Sequence, residues 1–355
     1  MASASVFSFA SDRLLAGALA TGLGALLASG LLVGAIVTLR FVRRLKEADA
    51  RAVIERWRPR FVSALAGTPP APHSLRHADA HGAIALLHEL MLGIKGEGRG
   101  RLAAYARACG LEDWARRYSL TGRVRERLPA IAVLGHMESS ASLATLERIV
   151  VDPNPVLSLA AARSTLAIDT ARTAARVVQH AIAREDWPGA RVLAILQDSA
   201  HEAVGHAVLV AFETVTRDRL VRLLSFARVV PAEKLWPVLH RLLETADMPE
   251  ILSRTLRLVA DPREAPRVRA LLHHPEWIVR LAAVQALGRI ATEADLPRLT
   301  TALSDSVWWV RQRAADALVR LPYFSRAQLE RLHEVLSDRY ARDALARAMA
   351  ENSPA

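Results

Sequence analysis

The stretch RLAAVQALGRIATEADLPRLTTALSD, residues 280–305, lies without a gap on RLPAIAVLGHMESSASLATLERIVVD, residues 127–152. Arg280 falls on Arg127, Leu287-Gly288 on Leu134-Gly135, Leu296 on Leu143 and Asp305 on Asp152, a register of 153 residues. The match runs on into Ala314-Ala315 over Ala161-Ala162. Inside the second copy a shorter period appears: WIVRLAAVQAL at 277–287 returns as WWVRQRAADAL at 308–318, 31 residues later. Such self-similarity points to an array of stacked units, because a unit of about thirty to forty residues cannot bury its apolar face alone.

The units are helical. Hydrophobic residues make up 52% of the chain but aromatics only 5%. Ala, Leu and Arg, all good helix formers, therefore dominate, and no run alternates with period two for long enough to be a strand. Helical hairpins are expected at about 141–168, 170–197, 199–228, 231–260, 262–290, 293–321 and 325–350. A turn, GIKGEGRGR at 93–101, is expected between helices at 77–92 and 101–108. Its glycines and basic residues lack the preceding strand and the Lys-Ser/Thr ending of a phosphate loop.

Asp305, Val310, Arg311, Ala314, Ala315, Ala317 and Leu318 fill, in order, the pattern D-x-x-x-x-V-R-x-x-A-A-x-A-L. Val279, Arg280, Ala282, Ala283, Ala286 and Leu287 repeat it, with His273-His274-Pro275 near the place of the Asp. These residues resemble the HEAT-repeat family, in particular its bacterial HEAT/PBS-lyase type, strongly over 125–168 and 260–322. The resemblance implies an all-α fold, an α-solenoid of hairpins. Small alanines would let the second helix of each hairpin lie close to its neighbours. The Asp at the turn would cap the next helix, and the Arg would pair with a neighbouring Asp.

HEAVGH, His201 to His206, looks at first like the zinc-protease motif His-Glu-x-x-His. Five residues is about 500° of helix, which turns the second ring roughly 140° from the first, whereas a spacing of four puts both on one face. Set on the repeat, Asp198 falls on Asp305, and Ala203-Val204 take the place of the Val-Arg pair. HEAVGH then reads as the start of a repeat's second helix, with Gly205 and Ala207 there for close packing.

The N-terminal region has a different character. Residues 14–39 carry no charge over 26 positions, enough to span a bilayer, and Arg40, Arg43, Arg44 and Lys46 follow at once. The stretch is read as a single transmembrane helix, and the positive-inside rule puts its N-terminus outside and the solenoid in the cytoplasm; the Ala-, Arg- and Leu-rich composition is the reason a bacterial inner membrane is the expected location. Gly30 and Gly34 form a GxxxG pair of the kind that permits self-association, the competing explanation being chance spacing in a stretch so rich in Gly and Ala. The expected organisation is a short tail (1–13), the transmembrane helix (14–39), a basic juxtamembrane helix (40–66) with Trp57 at the membrane interface, a Pro-rich linker (67–74), the solenoid (75–350) and a C-terminal tail (351–355).

No P-loop, dinucleotide fingerprint or nucleophile elbow occurs, and the single Cys109 excludes an internal disulfide or a Cys-rich zinc site. The chain is read as non-enzymatic, without catalytic, cofactor-binding or metal-binding residues. The expected role is a membrane-anchored scaffold or adaptor holding a protein partner, such as a membrane enzyme or transport complex. Two readings rank below it: nucleic-acid binding, which a net charge of +11 supports, and a phycobilin-lyase-like enzyme, which the repeat type evokes. Trp277, Trp308 and Trp309 stand at the starts of second helices beside Arg280, Arg311 and Arg313. Trp and Arg are over-represented at binding hot spots. Trp309 with Arg313 is the leading pair, while for Trp308 and Trp277 the competing role is to fill gaps between hairpins.

Overall fold

The computed structural model describes Leu32 and residues 51–199 and 201–352, and these fall into two compact units divided between Val133 and Leu134. The transmembrane helix expected at 14–39, with Gly30 and Gly34, and the basic residues Arg40, Arg43, Arg44 and Lys46 lie outside the described residues. Among the described residues there is no strand, and no helix is long and apolar enough to cross a membrane.

The first unit contains α1 (51–65), α2 (His77–Gly93), α3 (Glu97–Ala108), α4 (Leu111–Thr121) and α5 (Val124–Leu134), whose last residue belongs to the second unit. Here the structure corrects two expectations. Val53, Trp57, Phe61 and Ala64 recur at helical spacing and are buried, so α1 is a packed element of the unit and not a free juxtamembrane arm. Phe61 meets the Tyr105 ring edge-on at 6.4 Å, and Arg56 donates to the buried Asp79 at 2.6 Å. Val53 sits so close to Gly82 that a Cβ there would be 2.9 Å from its Cγ1. The proline-rich residues 67–74 are therefore a loop within this unit, not a boundary. The turn before α3 closes on Gly96 at φ +67°, and the helix starts at Glu97, before the expected 101.

The second unit is a run of hairpins. In order they are α6 (Ser140–Val150) with α7 (Pro155–Ile168), α8 (Thr170–Ala183) with α9 (Gly189–Asp198), and α10 (His201–Thr214) with α11 (Arg217–Phe226). Then come α12 (Ala232–Thr245) with α13 (Pro249–Leu258), α14 (Ala265–Leu271) with α15 (Trp277–Ile290), α16 (Leu296–Ala302) with α17 (Trp308–Arg320), and α18 (Arg326–Val335) with α19 (Arg339–Glu351). Side-chain caps start many of them: Asn154 Oδ1 accepts from the Val156 and Leu157 N–H groups, and Ser325 and Gln328 form a reciprocal capping box.

Second helices stack on second helices, α13 on α15, α15 on α17 and α17 on α19. Ala282, Ala283, Ala286, Ala314, Ala315, Ala341 and Ala344 fill the seam, with Leu287, Leu318 and Leu345 between them. The long register of the sequence reappears as one repeated contact. A Cβ on Gly135 would lie 2.8 Å from Ser164 Cβ, and a Cβ on Gly288 would lie 2.8 Å from Ala317 Cβ. Both glycines thus permit the same close helix approach in the two copies.

Three arginines bind neighbouring hairpins through main-chain carbonyls left over at helix ends. Arg184 donates to Asp152 O at 2.7 Å, and Arg222 donates to Ala181 O and Arg184 O at 2.6 Å each and to Trp187 O at 2.8 Å. Arg289 donates to Leu256 O at 2.7 Å and Val259 O at 3.1 Å.

HEAVGH opens α10, but α10 packs against α8 and α12, the first helices of their hairpins, and so it is not the second helix expected. The Asp-Ser signal that begins a helix serves first and second helices alike, which is why the register misassigned it. Gly205 is buried there against Val229 to Pro231. A Cβ on it would meet Val229 O at 3.6 Å, an ordinary contact, so this glycine is not sterically required.

Candidate functional site

The starts of α15, α17 and α19 carry a row of exposed aromatic rings. Trp277 is 40% exposed, Trp308 41%, Trp309 54% and Tyr340 66%. The 31-residue period generates the row: Trp277 recurs as Trp308, and Trp309 as Tyr340. Trp308 and Trp309 touch edge to face at 4.6 Å, and the Arg347 guanidinium lies over Trp308 at 5.9 Å. The gap-filling role open to Trp277 and Trp308 is thus only half met, since much of each ring faces solvent.

The turns beneath this row are held by charge. Asp305 Oδ1 accepts from the Val307 N–H at 2.8 Å, and Arg280 forks onto the carboxylate at 2.7 and 3.0 Å. Arg280 also donates to His274 O at 2.9 Å and Pro275 O at 2.8 Å. Burial opposes ionisation of Asp305, but the hydrogen bonds from Arg280 and the Val307 N–H outweigh it and hold its pKa below the ordinary value. Arg311 donates to Asp305 O at 2.7 Å and packs over Tyr340 at 5.3 Å. Arg280 and Arg311 are therefore braces for turns. Arg313 is freer: 44% exposed, it pairs with Asp316 of its own helix at 3.0 Å.

Trp309, Arg313, Asp316 and Arg320 follow one another at helical spacing along one side of α17. Between α15 and α17, above the close contact of Gly288 with Ala317, opens a cleft of about 290 Å³ lined by Gln285, Arg289, Arg313, Asp316 and Arg320. Burial first, and then the charge of Arg228, pushes the pKa of Arg289 down.

Trp57 does not belong to any exposed surface. It is 0% exposed and packs on Phe61 at 5.6 Å, with Arg60 over its ring, so the membrane-interface role expected for it is corrected. Its flanking arginines suggested a ring at the membrane interface, but the buried stripe at 53, 57, 61 and 64 decides the matter.

One polar cluster escaped the sequence reading. Glu264, 1% exposed, accepts from Trp236 Nε1 at 2.9 Å and lies 2.8 Å from His240 Nδ1, tying α12 to the turn before α14. Arg263 stacks on Trp236 at 3.9 Å. The arrangement is a brace between hairpins, and nothing in the local sequence marks it, because Glu264 stands among Asp261, Arg263 and Arg267 like any solvated charge. Among the described residues no group of three or more His, Cys, Asp and Glu is placed to hold a metal ion.

The family model of HEAT repeats matches residues 238–319 and 264–350. The matched residues run from within α12 to α19, so this part of the chain is similar to HEAT repeats, in keeping with its stacked helical hairpins. No curated protein matches the chain. Among solved structures, the crystal structure of an engineered protein is 13% identical, covers 85% of this chain and 98% of its own, and has a TM-score of 0.35, too low to argue from.

Proposed function

We propose that the chain is a scaffold that holds a protein partner on the exposed side of its HEAT-repeat second helices, with Trp309 and Arg313 at the centre of contact. The observation that carries this is the row of exposed rings at equivalent positions of successive helices. Monomeric surfaces seldom leave several large aromatic rings together in solvent without a use, and extended repeat surfaces serve to bind other chains. The tether is part of the same proposal: the uncharged stretch 14–39 followed by basic residues supports an anchor in a bacterial inner membrane, N-terminus outside, with the repeats in the cytoplasm. The client would then be a membrane enzyme or transport complex.

The test is affinity purification of the full-length protein from mild detergent, beside Trp309→Ala/Arg313→Ala, with mass spectrometry and far-UV circular dichroism. The proposal expects a protein enriched by the wild type and lost from the variant at unchanged helicity. Equal recovery by both, or recovery only of nuclease-sensitive, salt-labile material, overturns it; the latter result favours nucleic acid.

A further inference from the structure

The cleft between α15 and α17 has a charge balance that its own residues do not satisfy. Arg289, Arg313 and Arg320 line it against one carboxylate, Asp316. Asp316 is engaged by Arg313 at 3.0 Å and by Gln312 Nε2 at 3.1 Å. Arg289 spends its bonds on the carbonyls of Leu256 and Val259, which fix the guanidinium without neutralising it. Arg320 makes no ion pair or hydrogen bond among the described residues. Its position is no accident of the surface, because Arg289 and Arg320 are equivalent at the 31-residue period. The small pair Gly288 and Ala317 lines it too, and Trp309, an exposed ring, stands one turn before Arg313 on α17.

We infer that this cleft receives an acidic peptide segment of the partner, a carboxylate side chain entering between Arg313 and Arg320 and an adjacent apolar side chain lying on Trp309. The inference rests on the second-helix face being the binding face, and it adds the chemistry of the occupant. Guanidinium groups suit this task because they fork onto carboxylates in a fixed plane, and the cleft is lined by three of them. An isolated anion would find the charges but no use for the ring. A peptide alternating acidic and apolar residues uses both.

The experiment titrates the full-length protein in mild detergent with a short fluorescein-labelled peptide of alternating Glu and Leu, followed by fluorescence anisotropy. Controls are the same peptide with Gln for Glu and a single-stranded oligonucleotide. The expected result is binding of the Glu peptide that weakens with salt, is absent for the Gln peptide, and falls about tenfold or more in Arg313→Glu/Arg320→Glu, while Arg172→Glu on α8 leaves it unchanged. Trp309→Ala should weaken it further without altering its salt dependence. Equal binding of the Glu and Gln peptides, equal binding by the charge-reversed variant, or tighter binding of the oligonucleotide overturns the inference. If affinity purification yields a Trp309-dependent partner but the Glu peptide does not bind, the scaffold stands and the acidic segment is discarded.

Discussion

Asp305→Ala is the sharpest probe of how the turns of the HEAT unit are held. The substitution removes the fork from Arg280, at 2.7 and 3.0 Å, and the acceptor for the Val307 N–H at 2.8 Å. The Arg280 and Asp305 side chains are 14% and 11% exposed, so water reaches the vacated groups only in part. Breaking a fully buried pair by losing one partner costs about 3–5 kcal/mol, and the residual exposure together with the two carbonyls still held by Arg280 lowers the expectation to about 2–4 kcal/mol. Asp305→Asn keeps an acceptor for Val307 and should cost about half as much. Arg280→Ala and the double variant complete a cycle whose coupling should be about 1–2 kcal/mol. The assay is urea unfolding of the full-length protein, followed by far-UV circular dichroism. The acid leg has a defined sign. The folded pKa of Asp305 is depressed, so its contribution is complete above the ordinary carboxylate value of about 4 and is lost as the pH falls through the folded value. Asp305→Asn should therefore flatten the loss of stability below about pH 4. A cost under about 0.5 kcal/mol for Asp305→Ala, or a coupling indistinguishable from zero, would refute the reasoning.

Other expectations follow from single contacts. Gly288→Leu and Gly135→Leu should each destabilise by about 2 kcal/mol or more, because a Cβ at either position already meets a neighbouring Cβ at 2.8 Å; equal stability of either variant in thermal unfolding would break their equivalence. Gly205→Ala should instead raise stability by about 0.5–1 kcal/mol, since its Cβ finds ordinary contacts in the middle of α10. Trp57→Ala should cost about 3–5 kcal/mol in the first unit, and collisional quenching should leave this ring unreached; ready quenching would return it to the surface. Burial pushes the Tyr105 hydroxyl up to about 12. Its neutral form therefore contributes stability that is complete below about pH 10 and lost as the pH rises through 12, and Tyr105→Phe should remove the late component of tyrosinate absorbance.

Much of the second unit was legible because its architecture repeats. The register of 153 placed Gly135 and Gly288 as equivalents before any contact was known, and both turn out to meet the same neighbour position, Ser164 and Ala317. The period of 31 likewise predicted the row of Trp277 and Trp308 at the starts of α15 and α17. HEAVGH was harder, since helix-start chemistry is common to both helices of a hairpin and only packing against α8 and α12 separates them. Trp57 was misjudged because charged neighbours were weighed above the apolar spacing of Val53, Phe61 and Ala64. The brace at Glu264 and the arginine cleft depend on side chains that meet only once separate hairpins have docked. Arg289 and Arg320 are 31 residues apart, a relation visible in the sequence, but the cleft between them is made by the close approach of Gly288 to Ala317.

The most direct measurement is hydrogen exchange of the full-length protein with and without the partner recovered by affinity purification. Binding at the second-helix face predicts slowed exchange concentrated in residues 277–289 and 308–320, lost in Trp309→Ala/Arg313→Ala. Slowed exchange confined to residues 51–133, or to the first helices α8 and α10 with 308–320 unchanged, would contradict the assignment of that face.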